Sequence, residues 1–311
     1  MKHKSITKVR KRSFTLVEQA VHQVRGFSTL YQQLEEKIVL AGMSKSSLGN
    51  YGRKLAQVCL QFNQLPQYID EKKLNRYLAS LARNSKVPSL SDFKHTVYGL
   101  RYCYRLLGMN DKAVKLPQIK RQNKLPVVLN RDECRMLFRK PDLLKHRVLL
   151  ALIYSAGLRA RELCRLKIGD IDSGRMMIHI RQSKYNKDRY VPLSPVILQG
   201  LRKYYYACQP VDYLFNGKEP ATPMSTRGLQ WVLRETVKKC NLRKDITLHT
   251  LRHSYATHLL EEGMDIVTIK ELLGHERIET TMVYLHVAKP NRSKIFSPLD
   301  ILYRQAIKNK A

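Results

Sequence analysis

Six residues of the 311-residue sequence have side chains suited to phosphoryl transfer: Arg159, Lys184, His249, Arg252, His275 and Tyr284. A phosphodiester under in-line attack gathers negative charge on its non-bridging oxygens, and arginine, which stays charged at physiological pH, can bind two such oxygens together. His249 and Arg252 are three positions apart, so on a helix they would share one face and reach one phosphate. These residue types therefore predict chemistry at a phosphodiester.

Tyr284 and Lys184 have the side chains needed at the two ends of such a reaction. A tyrosine hydroxyl titrates at about 10, so attack at neutral pH needs a base such as His249 and strongly positive surroundings. The departing 5′ oxygen needs a proton, and a lysine on a hairpin turn is a suitable donor. Lys187 lies three residues beyond Lys184, and the sequence leaves open which of the two is the donor.

Each of these residues also has a purely structural interpretation. Arg159 could be a surface arginine at the start of a helix, His249 an N-terminal cap and His275 a turn residue. Most of the 17 tyrosines are expected to pack in a core or lie at the surface. Only the combination of the six residues indicates an active site.

The charge of the chain favours nucleic acid as its partner. Lys and Arg number 57 against 25 Asp and Glu, which gives a formal net charge of +32. Release of counterions from a phosphate backbone is the usual thermodynamic reason for such a charge. No apolar stretch approaches the roughly 20 residues that span a bilayer, and no secretion signal is evident. The predicted partner is therefore nucleic acid and not a membrane.

Six cysteines lie far apart, with no CxxC pair and no Cys/His cluster: Cys59, Cys103, Cys134, Cys164, Cys208 and Cys240. This spacing argues against a zinc site and a disulfide framework, and reduced thiols without a secretion signal indicate a cytoplasmic protein. With DNA as its partner, the protein is expected to be nucleoid-associated. The sequence has no P-loop and no acidic metal cluster, so we expect no cofactor and no metal.

The length of the chain predicts about two domains. The predicted parts are a basic N-terminal arm (1–25), a helical DNA-binding domain (26–109), a basic linker (110–128), a catalytic domain (129–290) and a C-terminal tail (291–311). The linker is predicted from its two prolines, its basic residues and its lack of a helical period.

The first domain is predicted to contain four amphipathic helices. Their predicted caps are Ser28, Ser44, Asp70, and Ser89 together with Asp92. Basic side chains cover the exposed faces with few acidic neighbours, which favours a DNA-facing surface over a merely solvated one. The candidate DNA contacts here are Lys45, Arg53, Lys94 and Arg101.

The second domain is predicted to begin with a helix capped by Asn130 and to continue with a buried helix that ends at Gly157. Alternating side chains predict strands at 175–181 and 189–193, joined by a polar turn. Further helices are predicted at 195–207, 225–239, 249–262, 265–273 and 278–286. Arg161 and Lys187 are further candidate DNA contacts.

The motifs around the six residues resemble those of the phage-integrase family, the tyrosine recombinases, most closely its Xer-type and transposon-borne members. The GLRxxEL segment corresponds to Gly157, Leu158, Arg159, Glu162 and Leu163. The HxxR pair falls on His249 and Arg252, the LGH histidine on His275, and the T-x-x-Y-x-H tyrosine on Tyr284. Every catalytic role of the family thus has a candidate, in family order.

The sequence departs from the family pattern in two places. The hairpin usually reads GKGxKxR, and here Ser183 and Tyr185 replace both glycines. Ser155-Ala156 precedes the first arginine where a threonine is common, and Arg161 replaces a usual serine. Neither change removes a catalytic group.

The resemblance implies a mainly helical fold with a small β-sheet in the catalytic domain, arranged as a two-domain, C-shaped DNA clamp. It implies cleavage through a 3′-phosphotyrosyl intermediate for integration, excision or resolution, as expected of a mobile element. The reaction would require neither ATP nor metal. The protein would be a monomer when free and would act as a homo-tetramer on its double-stranded DNA recombination sites. Two alternatives stay open: DNA relaxation like that of a type IB topoisomerase, and a catalytically silent DNA-binding protein.

Overall fold

The computed structural model describes residues 14–83, 89–118, 125–181 and 188–288, and at 45 and 89–91 it describes the backbone alone. The chain divides into two compact units, Met1–Gln122 and Asn123–Ala311. Most described residues are helical, and the strands form one small sheet. The predicted fold class, mainly helical with a small sheet, is confirmed. No described helix is long and apolar enough to cross a membrane.

The described part of the first unit is helical throughout. Its α-helices are α1 (Leu16–Gln23), α2 (Phe27–Leu40), α3 (Lys45–Phe62), α4 (Glu71–Arg83), α5 (Ser89–Leu106) and α6 (Asn110–Lys115). Helix α3 packs against α1, α2 and α5, so its apolar side lies at the centre of the unit. The predicted cap of α3 is confirmed, since the Ser44 hydroxyl accepts a hydrogen bond from the Ser47 amide at 3.3 Å.

Three predictions for the first unit were wrong. The predicted N-terminal arm contains α1, because Thr15 and Glu18 form a reciprocal cap and Ala20 is buried in the core. The predicted linker contains α6, because buried Ala113 packs this short helix onto the unit. Helix α2 begins one residue before the predicted cap Ser28 and has no side-chain cap.

The second unit contains eight described α-helices and the sheet. The helices are α7 (Arg131–Arg139), α8 (Leu144–Ala156), α9 (Ala160–Arg165), α10 (Pro195–Cys208), α11 (Thr226–Lys239), α12 (Leu248–Glu261), α13 (Ile266–Leu273) and α14 (Glu279–Met282). A 3₁₀ helix, Val283–His286, follows α14 directly. Asn130 caps α7 as predicted, accepting a hydrogen bond from the Glu133 amide at 2.8 Å.

Helix α8 is the centre of this unit. Its side chains from Val148 to Ile153 are all apolar and largely buried, because α7, α10 and α12 pack around it. Its predicted end at Gly157 is confirmed. A helix covered on several sides needs apolar residues around most of its circumference, which explains its weak amphipathic pattern.

The sheet is antiparallel with the strand order β1 (Ile171–Asp172), β2 (Met177–Ile180) and β3 (Arg189–Pro192). Ile178 pairs with Val191, and both side chains are fully buried, so one face of the sheet joins the core. Strand β1 was not predicted because two residues are too few to show alternation. The turn between β2 and β3, with Lys184 and Lys187, lies outside the described residues at 182–187.

Candidate active site

Two glycine turns bring distant parts of the second unit to α12. Gly157 ends α8 at φ +58°, and a Cβ atom there would lie 2.5 Å from the Tyr255 ring. Gly274 ends α13 at φ +62°. Left-handed backbone and close approach both favour glycine. The first turn leads into Arg159 and the second into His275.

Arg252 joins these two turns from its position on α12. Its guanidinium donates from Nη1 to the Gly157 carbonyl at 2.7 Å and from Nη2 to the Leu273 carbonyl at 2.5 Å. Burial first, and the charge of Arg159 second, lower the pKa of Arg252 to about 9. The side chain therefore remains charged at neutral pH, and its low-dielectric setting strengthens its attraction for an anion.

Glu162 is the carboxylate that organises the arginines. It accepts hydrogen bonds from Arg159 Nη1 at 2.7 Å and from both terminal nitrogens of Arg189 at 2.9 and 2.8 Å. Burial alone would raise the pKa of Glu162, but the hydrogen bonds and charges of Arg189 and Arg159 outweigh it and hold this pKa at about 2. The carboxylate is therefore ionised and holds the two guanidinium groups in place.

Arg189 ties strand β3 to this cluster. Besides its bond to Glu162, it donates from Nε to the Leu272 carbonyl at 2.9 Å. Arg159 is anchored in the same manner, donating from Nη2 to the Gly274 carbonyl at 2.8 Å. Sequence analysis missed Arg189, although its position just after the hairpin lysines was a usable signal.

The Tyr284 side chain is buried, with 1% of its surface exposed, against α12 and α13. Its hydroxyl shares a 3.0 Å hydrogen bond with His253 Nδ1. Burial raises the pKa of Tyr284, while the nearby charges of Arg252 and Arg159 lower it. The hydroxyl is therefore protonated in this state, within the field of two arginines.

The two predicted histidines are held as neutral imidazoles. His275 Nδ1 shares a 3.0 Å hydrogen bond with the Thr281 hydroxyl, and burial, then Arg252 and Arg159, lower the pKa of His275 to about 3. Burial and the same two arginines also lower the pKa of His249. A neutral imidazole has one N–H, so each of these rings can donate to a phosphate oxygen.

The structure thus brings five of the six predicted catalytic residues to one region of the second unit, and Lys184 lies outside the described residues. His253, which contacts the Tyr284 hydroxyl, was missed by sequence analysis. The available signal was its place four residues after His249, on the same face of a helix.

The predicted DNA contacts differ in their surroundings. Arg53 and Arg161 are exposed and Lys94 is half-buried. The side chain of Lys45 and the whole of Lys187 lie outside the part of the chain that the structure describes. The Arg101 guanidinium donates to the carbonyls of Ala113, Leu116 and Pro117. These bonds hold α6 beside α5, which gives Arg101 a structural role. The predicted contact of Arg101 with DNA stays a prediction.

The sequence profile of the phage integrase family matches residues 127–291, which include all the site residues. The chain belongs to the phage integrase family. It is a tyrosine recombinase, and enzymes of this family cleave and rejoin DNA. The tyrosine recombinase XerD of Staphylococcus epidermidis is 33% identical over 284 residues, covering 82% of this chain and 92% of that protein.

Two solved structures share the fold of this recombinase. The XerH site-specific recombinase bound to palindromic difH substrate has a TM-score of 0.66 at 21% identity, covering 95% of this chain and 88% of that one. The Tn1549 transposon integrase in complex with circular intermediate DNA has a TM-score of 0.65 at 17% identity, covering 82% of this chain and 94% of that one. The recombinase family predicted from the motifs is confirmed.

Proposed function

We propose that this recombinase cleaves DNA at specific sites by attack of Tyr284 on a phosphodiester, which leaves a 3′-phosphotyrosyl bond and a free 5′ hydroxyl. The observation that carries the proposal is the position of the Tyr284 hydroxyl, which lies 3.0 Å from Nδ1 of His253, the residue after Arg252 on α12, and within the field of Arg159 and Arg252. The 5′ hydroxyl of a partner strand then attacks the phosphotyrosine. The energy of the phosphodiester is kept in the protein–DNA bond, so the exchange consumes no ATP.

The other site residues bind and stabilise the reacting phosphate. Arg159 and Arg252 bind its non-bridging oxygens, because both are charged and preorganised by carbonyl partners. His249 and His275 donate hydrogen bonds to the same group as neutral imidazoles. Lys184 or Lys187 gives a proton to the leaving 5′ oxygen.

We assign the substrate as double-stranded DNA recombination sites, and place the protein in the cytoplasm at the nucleoid. The net charge of +32 supports this partner. The proposed product is the integration, excision or resolution of a mobile element, supported by the fold shared with a transposon integrase. Two duplexes cleaved on both strands need one tyrosine per cut, so the working unit is a homo-tetramer assembled from free monomers.

A nicked duplex made from the DNA that flanks the gene tests this function. With EDTA present and ATP absent, the wild-type protein is expected to form an adduct that resists SDS, and recombinant product with a second site. A silent DNA-binding protein would form no adduct. A type IB topoisomerase would relax a supercoiled plasmid that lacks any site, without producing recombinants, and either result would contradict the proposal.

A substrate whose leaving group is a 5′ thiol, which departs without a proton, distinguishes the roles of the two hairpin lysines. If Lys184 is the acid, Lys184→Ala is expected to cleave the ordinary substrate poorly and the thiol substrate at the wild-type rate. Lys187→Ala, the matched control, would then lose only some DNA affinity. Thiol rescue of the Lys187 variant alone would transfer the role to that residue.

A further inference from the structure

We propose that His253 is a further catalytic residue, which holds the Tyr284 hydroxyl through Nδ1 and receives its proton as the tyrosine attacks the phosphate. This inference rests on the proposed function of Tyr284. It assigns the base to the imidazole in contact with the nucleophile and not to His249, the base suggested by the sequence. The Nδ1 to hydroxyl distance is 3.0 Å, within the reach of a general base.

Helix α12 places His253 beside both Tyr284 and His249. His249 and His253 are one helical turn apart on the same face, with ring centroids separated by 6.3 Å. The ring centroid of His253 is 5.7 Å from that of Tyr284. The 3₁₀ helix that carries Tyr284 packs directly on α12, so this contact belongs to the packing of the unit.

His253 is able to accept a hydrogen bond because its imidazole is neutral. Burial first, then His249 and Arg252, lower the pKa of His253 to about 4. The other titratable groups facing it are Tyr284 from the 3₁₀ helix and His275 from the turn after α13. A neutral ring with its proton on Nε2 leaves Nδ1 free to accept the phenolic O–H.

The positive charges around His253 make the transfer depend on DNA. In the free protein the phenol keeps its proton, since burial raises the pKa of Tyr284 and lowers that of His253. A phosphodiester bound at Arg159 and Arg252 adds a negative charge that offsets the two arginines. The pKa of His253 then rises, and the imidazole becomes a stronger base when the substrate is in place.

The step balances in atoms and charge. The phenolic oxygen forms a bond to phosphorus as its proton passes to His253 Nδ1. The bond from phosphorus to the 5′ oxygen breaks, its electron pair stays on that oxygen, and the hairpin lysine protonates it. In the rejoining step the attacking 5′ hydroxyl gives its proton back to the hairpin lysine, and the imidazolium of His253 returns a proton to the departing tyrosine.

The decisive variants are His253→Asn, whose amide oxygen can accept the same hydrogen bond but cannot take the proton, and His253→Ala. Single-turnover cleavage of the nicked duplex is measured from about pH 6 to pH 9. We expect His253→Asn to bind DNA normally and to cleave about 10²–10⁴-fold more slowly at pH 7. Its rate should rise steadily with pH, since hydroxide must form the phenolate, while the wild-type rate reaches a plateau.

His258→Asn is the matched control, because His258 also lies on α12 and its Nδ1 shares a 2.8 Å hydrogen bond with a tyrosine hydroxyl, that of Tyr154. This variant is expected to keep the wild-type pH profile. Added imidazole should restore cleavage to His253→Ala but not to Tyr284→Phe. Wild-type rates in His253→Asn, faster cleavage in either variant, or an equal loss at every pH would overturn the proposal.

Failure of this inference can be told apart from failure of the proposed function. If the wild-type protein forms no adduct, the function itself is wrong. If the wild type forms the adduct and His253→Asn cleaves with the same rate and pH profile, only the role of His253 is wrong.

Discussion

Tyr284→Phe is expected to bind its DNA site with wild-type affinity and to form no covalent adduct on a nicked duplex. The substitution removes one oxygen from a side chain that packs in the core beside Tyr255 and Leu273, so the fold is kept. The hydrogen bond to His253 is lost, at a cost to stability of about 1 kcal/mol. Denaturing gels measure the adduct, and gel shifts measure binding.

Tyr154→Phe is the control for this prediction. Its hydroxyl also shares a hydrogen bond with a histidine Nδ1 of α12, and the ring, which is partly buried, packs against the core. We expect this variant to lose similar stability and to form the adduct in normal yield. An adduct of wild-type yield in Tyr284→Phe would show that another residue is the nucleophile.

Glu162→Ala is expected to lower the free energy of unfolding of the second unit by about 3–5 kcal/mol, because it leaves two guanidinium groups without their buried carboxylate. The Glu162 side chain is 6% exposed and that of Arg189 is 9% exposed, so water replaces the lost partner poorly. Cleavage should also fall in the folded variant, since Arg159 loses one of its anchors. Trp231, the only tryptophan, lies on α11, so its fluorescence in urea reports unfolding of this unit.

The pH dependence provides a second test of Glu162. Its pKa in the folded protein, about 2, lies below the ordinary 4.5. Its ionisation therefore stabilises the fold above pH 4.5, and this contribution is lost as the pH falls from 4.5 through 2. The difference between wild type and Glu162→Gln is expected to shrink over that range.

Asp132→Asn is the control for Glu162, because its ion pair with Arg135 is exposed and should contribute at most about 1 kcal/mol. If Glu162→Ala were as stable as this control, the remaining partners of Arg159 and Arg189, which include the Gly274 and Leu272 carbonyls, would be sufficient without the carboxylate.

Local signals in the sequence were sufficient for most helices that carry the site. Asn130 caps α7 and Gly157 ends α8 as predicted, because capping and left-handed turns depend on residues adjacent in the chain. The shared face of His249 and Arg252 on α12 could also be predicted, because the HxxR spacing is a local pattern. The motif order then identified the family, since no single residue could have done so.

The short elements were decided by tertiary packing. Helices α1 and α6 span eight and six residues, and β1 spans two. Elements of this length are not stable alone. Buried Ala20 and Ala113 hold the two helices on the first unit, and pairing with β2 forms β1. Thr15 and Glu18 are a local signal for the start of α1, but a local pattern does not show what the helix packs against.

The sequence alone determined which residue types the site contains, whereas the folded chain decided which of them touch. Arg189 reaches Glu162 across 27 positions, and His253 reaches Tyr284 across 31. Such contacts form only where separate elements pack together. The same packing excludes water and places the arginine charges near the histidines and the tyrosine. Because burial and charges from distant parts of the chain act on these groups, the lowered pKa of His253 and the raised pKa of Tyr284 were decided by tertiary structure.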